Sequence, residues 1–325
     1  MSTPIPTAKV EALRDTFESG LLENTPLAQY TAARIGGPAD FLIIASSGDQ
    51  LAEVINTLWD IDVPFRVLGA GSNILVSDQG VREVVVLNRA REVRFIEDDE
   101  GPKVEAESGA MLGVITRRSV ERGLSGLEWA ASIPGTIGGA VVGNAGAYGD
   151  DIAGMLEMVE ILQRGIGVEQ WPVQRLEYAY RDSWLKQHPG EAVVLKAVLG
   201  LKQSTPEECK AKMGAFVEQR KRTQPSGASM GSMFKNPEGD YAGRLIEAVG
   251  LKGTQQGAAQ ISPLHANFFI NLGDAAAADV WDLIQLVRER VASQFDVWLE
   301  LEVELVGDWE IMNSNVIHSL PGGQA

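Results

Sequence analysis

Apolar positions recur at helical spacing in several stretches of the chain. In one of them Leu51, Val54 and Leu58 fall on a single helical face. The clearest repeat ends at residue 295, and Asp274 is the expected N-cap at its start. Thr205 followed by proline predicts another capped helix start. The pattern predicts helices over 10–22, 49–59, 112–122, 207–222 and 275–295.

Short apolar runs between glycine-rich turns predict the strands. They cover 41–44, 65–68, 84–87, 93–96, 104–106, 159–162 and 193–198. A last strand is expected over 298–306, where leucine and valine alternate strictly with glutamate. Glu302 lies on its outer face, where a glutamate is ordinarily just solvated. These elements predict an α+β fold.

A change of composition near residue 202 divides the chain. We expect an N-terminal helix over 1–22, a glycine-punctuated domain over 23–202 and a smaller domain over 203–307. The residues from 308 to 325 are expected to be a disordered tail. The length of 325 residues agrees with two main domains, at about 150 residues each.

Composition and charge exclude several classes of function. The chain has 44 acidic and 28 basic residues, and the net charge of −16 disfavours a nucleic-acid binder. A single cysteine excludes an internal disulfide, and three scattered histidines make a metal site improbable. The most apolar stretch, 130–142, is interrupted by proline and glycine and is shorter than the ~20 residues of a membrane span. We therefore expect a cytoplasmic protein without metal. The oligomeric state stays open, because the sequence has neither a heptad pattern nor a long apolar stripe.

The first candidate ligand-binding segment follows the strand predicted at 65–68. It reads Gly69-Ala70-Gly71-Ser72-Asn73. Successive N–H groups of such a loop can point into one concavity, which suits a pyrophosphate, and Ser72 adds a hydroxyl donor. An ordinary tight turn has the same short pattern, so spacing alone leaves both interpretations open.

A second glycine-rich segment covers 132–149 and carries no charged side chain. Glycine at this density loses much conformational entropy on ordering, which favours a place where the backbone approaches a ligand closely. A flexible linker is the alternative interpretation. Linkers, however, favour serine and charge over the isoleucine, valine and tyrosine found here.

Two further groups of polar residues are candidates for chemistry. Arg181 follows Tyr180, and a guanidinium can hold a carboxylate through two N–H groups. Alone, such an arginine is more often a surface ion-pair residue. Ser232, Lys235 and Asn236 offer a hydroxyl, a cation and an amide just before a proline. A polar loop would explain them equally well.

Eight short blocks in one order carry a resemblance to a known family. They are RIGGPAD at 34–40, GAGSN at 69–73, IPGTIGG at 133–139, NAGAY at 144–148, YRDS at 180–183, GSMFKNP at 231–237, HANF at 265–268 and LELEV at 299–303. Together they closely resemble the UDP-N-acetylenolpyruvoylglucosamine reductases (MurB), flavoenzymes that make UDP-N-acetylmuramate for peptidoglycan. The resemblance extends over about 20–307. Asp296 departs from it, since glycine is expected there, and the change should alter a turn without touching the chemistry.

The resemblance implies a two-part FAD-binding domain of the vanillyl-alcohol-oxidase type, followed by a smaller α+β substrate-binding domain. FAD would be bound non-covalently, NADPH would be the co-substrate, and the substrate would be UDP-N-acetylglucosamine enolpyruvate. The residues implied in cofactor binding are Gly69, Ala70, Gly71, Ser72, Asn73, Pro134, Gly135, Thr136, Gly138, Gly139, Asn144, Gly146, Ala147 and Tyr148. Only roughly 50 positions separate Arg181 from Ser232, which resembles the shorter subtype without an extra substrate loop.

The resemblance also implies a role for each candidate polar residue. Arg181 and Glu302 would lie beside the enolpyruvyl group, and Ser232 would donate the proton. Substrate contacts would come from Tyr180, Lys235 and Asn236.

The residue types suit this reaction. Hydride addition at C3 of the enol ether places negative charge on C2 and its carboxylate, which a fixed guanidinium stabilises. Ser232 could protonate C2 if Lys235 or a water chain lowers its pKa, and a buried Glu302 could polarise the intermediate. Two alternatives remain open, namely an FAD-dependent sugar or alcohol oxidase of the same fold and a non-catalytic nucleotide-sugar or flavin-binding module.

Overall fold

Helices and strands alternate along residues 4–309, the part of the chain that the computed structural model describes. The helices are α1 Thr7–Phe17, α2 Gly48–Asp60, α3 Leu112–Glu121, α4 Ile137–Val142, α5 Trp184–Gln187, α6 Pro206–Thr223, α7 Ala242–Ala248 and α8 Ala277–Phe295. The strands are β1 Leu21–Pro26, β2 Pro38–Ala45, β3 Phe65–Leu68, β4 Ile74–Val76, β5 Val81–Asn88, β6 Val93–Asp98, β7 Gly101–Glu107, β8 Leu124–Ser125, β9 Gly146–Ala147, β10 Asp150–Asp151, β11 Leu156–Gln163, β12 Gly167–Pro172, β13 Ala192–Gly200, β14 Lys202–Gln203, β15 Ala228–Ser232, β16 Gln255–Gln256, β17 Ala259–Ile261, β18 Phe268–Asn271 and β19 Glu304–Val306.

The first sheet has the strand order β1-β2-β5-β3. β5 is parallel to both of its neighbours, and β1 is antiparallel to β2. Helix α2 packs on this sheet through the predicted face, with Leu51 and Leu58 fully buried. Leu162 and Leu195 of a second sheet join the same apolar cluster, so α2 lies between the two sheets. Burial of each such leucine stabilises the fold by about 1.5–3 kcal/mol.

The second sheet is antiparallel throughout, in the order β12-β11-β13-β7-β6. Helices α3 and α4 cover it. The second glycine-rich segment is therefore not a continuous loop, because α4 interrupts it with Ile137 and Val141 fully buried. Thr136 is the N-cap of α4, and its hydroxyl accepts a hydrogen bond from Gly139 N–H at 3.4 Å.

The third sheet, β15-β18-β17-β16, carries α7 and α8 on its apolar side. Its core also contains Ile35 and Leu75 from the beginning of the chain. Leu75 belongs to β4, which pairs in parallel with β19. Because β4 follows the first glycine-rich loop directly, packing of β4 in the C-terminal unit also fixes the position of that loop.

Helix α6 packs on the N-terminal unit rather than on the third sheet. It contacts α3 and the turn at 128–130, and the ring of Phe216 stacks on that of Tyr148 at 4.8 Å between centroids. We therefore infer that the C-terminal unit begins after α6, later than the boundary at 203 expected from composition. The boundary at 22 likewise falls inside β1.

Two sequence expectations about helix ends are wrong. The helix expected over 10–22 ends at Phe17, and the next residues form a short 3₁₀ turn and then β1. Asp274 does not cap α8, which begins at Ala277. The carboxylate of Asp78, nearly 200 positions away, instead accepts hydrogen bonds from the N–H groups of Ala277 and Ala278 at 2.8 and 2.9 Å.

The strand expected over 298–306 is formed only at β19. Residues 298–306 do not pair with one continuous strand. The main-chain N–H of Glu302 donates to Met233 O at 2.9 Å, whereas that of Glu304 donates to Asn73 O at 3.0 Å. The alternating pattern still serves burial, since Leu299 and Val303 are buried.

The first two residues of the expected tail, 308 and 309, pack against the rest of the protein. Asp308 forms an ion pair with Arg82 at 3.3 Å, and Trp309 packs against Trp281. The rest of the expected tail lies outside the described residues. Within residues 4–309, no helix combines the length and the apolar character that a membrane crossing requires.

Candidate active site

The two glycine-rich segments meet face to face. Ser72 Oγ donates a hydrogen bond to Pro134 O at 3.2 Å. A Cβ atom on Gly69 would lie only 2.4 Å from Thr136 Oγ1, and one on Gly71 (φ +58°) would lie 2.5 Å from Tyr30 O. Glycine at 69 thus lets the two segments approach each other, and glycine at 71 permits the positive φ and the close approach of the first segment to Tyr30.

The facing segments fit the pyrophosphate of a bound flavin dinucleotide. No protein acceptor within residues 4–309 pairs with the main-chain N–H groups of 70–73, 135 and 136. N–H groups collected in this way form a concavity that binds anions. The residues that would hold FAD there belong to 69–73 and 134–139, and this assignment stays a prediction.

Arg181 lies at the far end of the second segment, where three protein oxygens fix its guanidinium. Its two terminal nitrogens donate to Asn144 O at 3.3 Å and Gly146 O at 3.0 Å. Its Nε lies 2.8 Å from Oε1 of Glu302. A guanidinium has five N–H groups, and only the two donated to Asn144 and Gly146 form hydrogen bonds within residues 4–309, so three, including that of Nε, have no protein acceptor.

Glu302 is the point where three distant parts of the chain converge. Its main-chain N–H donates to Met233 O, Asn73 Nδ2 donates to its carbonyl oxygen at 3.0 Å, and its carboxylate pairs with Arg181. The side chain is only 14% exposed, so the outer face predicted for it is covered. Burial raises the pKa of Glu302, while the positive charges of Arg181, Lys186 and Lys235 oppose this shift.

Ser232 faces outward because of a β-bulge. Three positions separate Ser229 from Ser232 while only two separate their partners on β18, and Gly231 has a φ of +79°. The extra residue lets Met230 and Met233 both be buried and leaves Ser232 half-exposed. Its hydroxyl has no hydrogen-bond partner among the described residues, and it directly precedes Met233, which binds Glu302.

The residues expected to contact substrate differ in how closely they join this centre. Lys235 N–H donates to Glu300 O at 2.9 Å, and its ammonium lies 3.4 Å from the Glu300 carboxylate. The Tyr180 ring is 55% exposed and lies 5.6 Å from the Arg181 guanidinium. Asn236 is exposed, and its side-chain oxygen accepts from Ala242 N–H at 3.1 Å. Their contacts with substrate stay predictions.

The later part of the second segment supports Arg181 through its main chain. Asn144 is buried, and its side-chain oxygen accepts from Ala153 N–H at 3.1 Å. Gly146 and Ala147 form β9, which pairs with β10. Tyr148 has a φ of +58° and donates through its hydroxyl to Phe216 O at 3.4 Å.

Two cations near the site were missed by sequence reasoning. Arg220, one helical turn beyond Phe216, is half-buried beside Tyr148 and forms no ion pair with any described carboxylate. Burial lowers the pKa of Arg220. Lys186 donates from Nζ to Arg181 O at 2.8 Å. Two features of the sequence could have indicated these cations. One is the run of basic residues at the end of α6, and the other is the lysine five positions after Arg181.

Comparison with known proteins identifies the family. The FAD binding domain model matches residues 39–163, and the model of the UDP-N-acetylenolpyruvoylglucosamine reductase C-terminal domain matches 223–306. The UDP-N-acetylenolpyruvoylglucosamine reductase of Chloroflexus aggregans is 41% identical over 297 residues, which cover 90% of this chain and 100% of that protein. The chain belongs to the UDP-N-acetylenolpyruvoylglucosamine reductase family. The reductase of Rubrobacter xylanophilus is 44% identical and covers 87% of this chain and 94% of its own length.

A solved structure agrees with the family assignment. The reductase (MurB) of Thermus caldophilus superposes with a TM-score of 0.74 at 36% identity, covering 88% of this chain and 98% of that chain. The family resemblance and the α+β fold with an FAD-binding domain before a smaller C-terminal domain are thereby confirmed.

Proposed function

We propose that this reductase converts UDP-N-acetylglucosamine enolpyruvate to UDP-N-acetylmuramate, with NADPH as reductant. The observation that carries the proposal is the Arg181–Glu302 pair at the end of the facing glycine-rich segments. Bound FAD would supply the redox chemistry, which carries a hydride from NADPH to C3 of the enolpyruvyl group. A cytoplasmic location and roles in peptidoglycan synthesis, cell shape and division belong to the same proposal.

Arg181 stabilises the charge that hydride addition creates on C2 and the adjoining carboxylate. Its guanidinium is held by two carbonyl oxygens and by Glu302 before substrate arrives. A donor that needs no reorganisation during the reaction stabilises the transition state more than a mobile one.

Ser232 Oγ delivers the proton to C2. A serine hydroxyl is a weak acid, so its contribution depends on its placement and on positive charge near it. Lys235, three positions later in the chain, is the proposed source of that charge. In its protonated form, Glu302 can donate a hydrogen bond to the same developing charge, and its raised pKa favours that form.

The remaining cations suit the anionic nucleotide part of the substrate. Arg220 forms no ion pair with a described carboxylate, and Tyr148 beside it carries a hydroxyl. A guanidinium without a carboxylate partner can bind phosphate oxygens through two parallel N–H groups. We assign Arg220, together with Tyr180, Lys235 and Asn236, to substrate binding.

An anaerobic absorption spectrum tests the proposed function. The purified protein, loaded with FAD, is expected to lose its flavin band on addition of NADPH and to regain it on addition of the enol ether. Recovery only after air is admitted would contradict the proposal in favour of an oxidase. A protein that takes up no FAD would contradict both.

The variant Ser232→Ala tests the proton donor. It should keep FAD and its reduction by NADPH but slow reoxidation by the enol ether by about 100-fold or more, the usual contribution of one acid. Ser229→Ala, on the same strand, is the matched control and should reoxidise at the wild-type rate. Normal turnover of Ser232→Ala would remove the serine from the mechanism.

A further inference from the structure

Lys186 lies against the turn that carries Arg181. Its Nζ donates to Arg181 O at 2.8 Å. The short helix α5 fixes its position, since Ser183 Oγ accepts from Lys186 N–H at 3.2 Å and donates to Val142 O at 2.6 Å. Lys186 is therefore anchored to the same unit as the second glycine-rich segment.

The Arg181 peptide has an unfavourable conformation that needs external support. Ala179 and Asp182 exchange two main-chain hydrogen bonds of 3.2 Å, so Tyr180 and Arg181 form the corner of a tight turn. Arg181 has a φ of +58°, at the corner position where turns favour glycine. Such backbone persists only where surrounding contacts fix it, and it occurs often at functional sites.

The charge around Lys186 is also unusual. No carboxylate within residues 4–309 forms an ion pair with its ammonium, although it is half-buried. Lys235 repels it, while Asp182, Glu302 and Glu304 attract it from a greater distance. Burial of an ammonium is costly. Here that ammonium donates to the carbonyl of the strained residue.

We propose that Lys186 is a positioning residue for the reduction. It holds the Arg181 peptide in its left-handed turn and so keeps the guanidinium directed at Glu302 and at the substrate carboxylate. The inference rests on the proposed function, since its effect is measured in the reoxidation of the flavin by the enol ether.

Two substitutions at Lys186 test this role in the FAD-loaded protein. Lys186→Met should slow reoxidation by the enol ether by about 10- to 100-fold, the effect of a small misplacement of a reacting group. FAD retention and reduction by NADPH should not change. Lys186→Arg, which keeps a cationic donor, should recover most of the rate. Lys196→Met, at a half-buried lysine of β13 paired with Glu160, is the matched control.

The pH dependence provides a readout that a merely structural role would not move. The cations facing the Glu302 carboxylate are Arg181, Lys186 and Lys235, and each opposes the rise in its pKa. Removing the charge at Lys186 should therefore move the high-pH decline of reoxidation to higher pH, and Lys186→Arg should return it.

The possible outcomes separate this inference from the function beneath it. Wild-type reoxidation by Lys186→Met would overturn the positioning role and leave the reductase intact. Loss of FAD in both Lys186 variants would assign the residue to folding and likewise overturn it. If the enol ether failed to reoxidise the wild-type protein, the proposed function would be contradicted, and this inference with it.

Discussion

At the scale of single residues, Glu302 is expected to set the pH dependence of reoxidation. Because burial raises its pKa, a larger fraction is protonated at a given pH than for a surface glutamate. The protonated form is the donor, so the rate should fall as the pH rises through that pKa. Glu302→Gln, which cannot titrate, should remove this decline in stopped-flow measurements while lowering the maximal rate.

The reduction of FAD by NADPH serves as the internal control for Glu302. It does not need a proton donor to the enol ether, so its pH profile should be the same in the wild type and in Glu302→Gln. If the reoxidation rate of Glu302→Gln still fell with rising pH, with the wild-type midpoint, the titrating group would be a residue other than Glu302.

The residues of the site were predictable only in part from their own spacing. The segment 69–73 lines a concavity, as its glycines predict, because glycine-rich sequence favours a turn of this kind locally. The Arg181–Glu302 pair joins residues more than 100 positions apart, and only the family resemblance brought them together. The role of Lys186 was not predictable from the pattern of charges, because its hydrogen-bond partner is a main-chain oxygen.

At the scale of elements, the end of α8 offers a test of stability. Asp296 is its C-cap and has a φ of +56°, the left-handed conformation that glycine adopts at helix ends. Asp296→Gly should therefore raise the free energy of unfolding by about 0.5–1 kcal/mol. Ser293→Gly, on the exposed face of the same helix, should lower it by about 0.5 kcal/mol. Chemical denaturation of both variants would measure these changes, and a loss of stability in Asp296→Gly would contradict the assignment.

Elements with one apolar face were the most predictable. Helices α2 and α8 follow from their periodic burial, which is a local property. Helix α6 buries only Cys209, and its start follows instead from the cap at Thr205, which is as expected. The residues before β19 were wrongly predicted as strand. Apolar and acidic residues do alternate there, but a strand also needs one continuous partner strand. Here the hydrogen-bond partners change from the residues after β15 to the residue before β4.

At the scale of the whole molecule, the site lies where the two units share their core. Leu75 follows the first glycine-rich loop and yet packs in the core beneath α8, while Glu302 of the C-terminal unit pairs with Arg181 of the other. The units therefore cannot move apart without disturbing the loop proposed to bind FAD. No periodicity within either unit could have predicted this coupling, because it depends on contacts between residues far apart in sequence.

Two cavity-forming substitutions test the coupling between the units. Leu75→Ala and Leu13→Ala each remove a fully buried leucine, and each should lower the free energy of unfolding by about 2–5 kcal/mol. Leu13 packs with the first sheet and does not belong to the apolar cluster that contains α8. Hydrogen exchange of the α8 amides should accelerate in Leu75→Ala much more than in Leu13→Ala, because only the first opens the core beneath that helix. FAD affinity should also fall in Leu75→Ala, since β4 directly follows the loop proposed to bind FAD. Equal acceleration in both variants would indicate that the molecule opens only globally and that Leu75 carries no specific coupling.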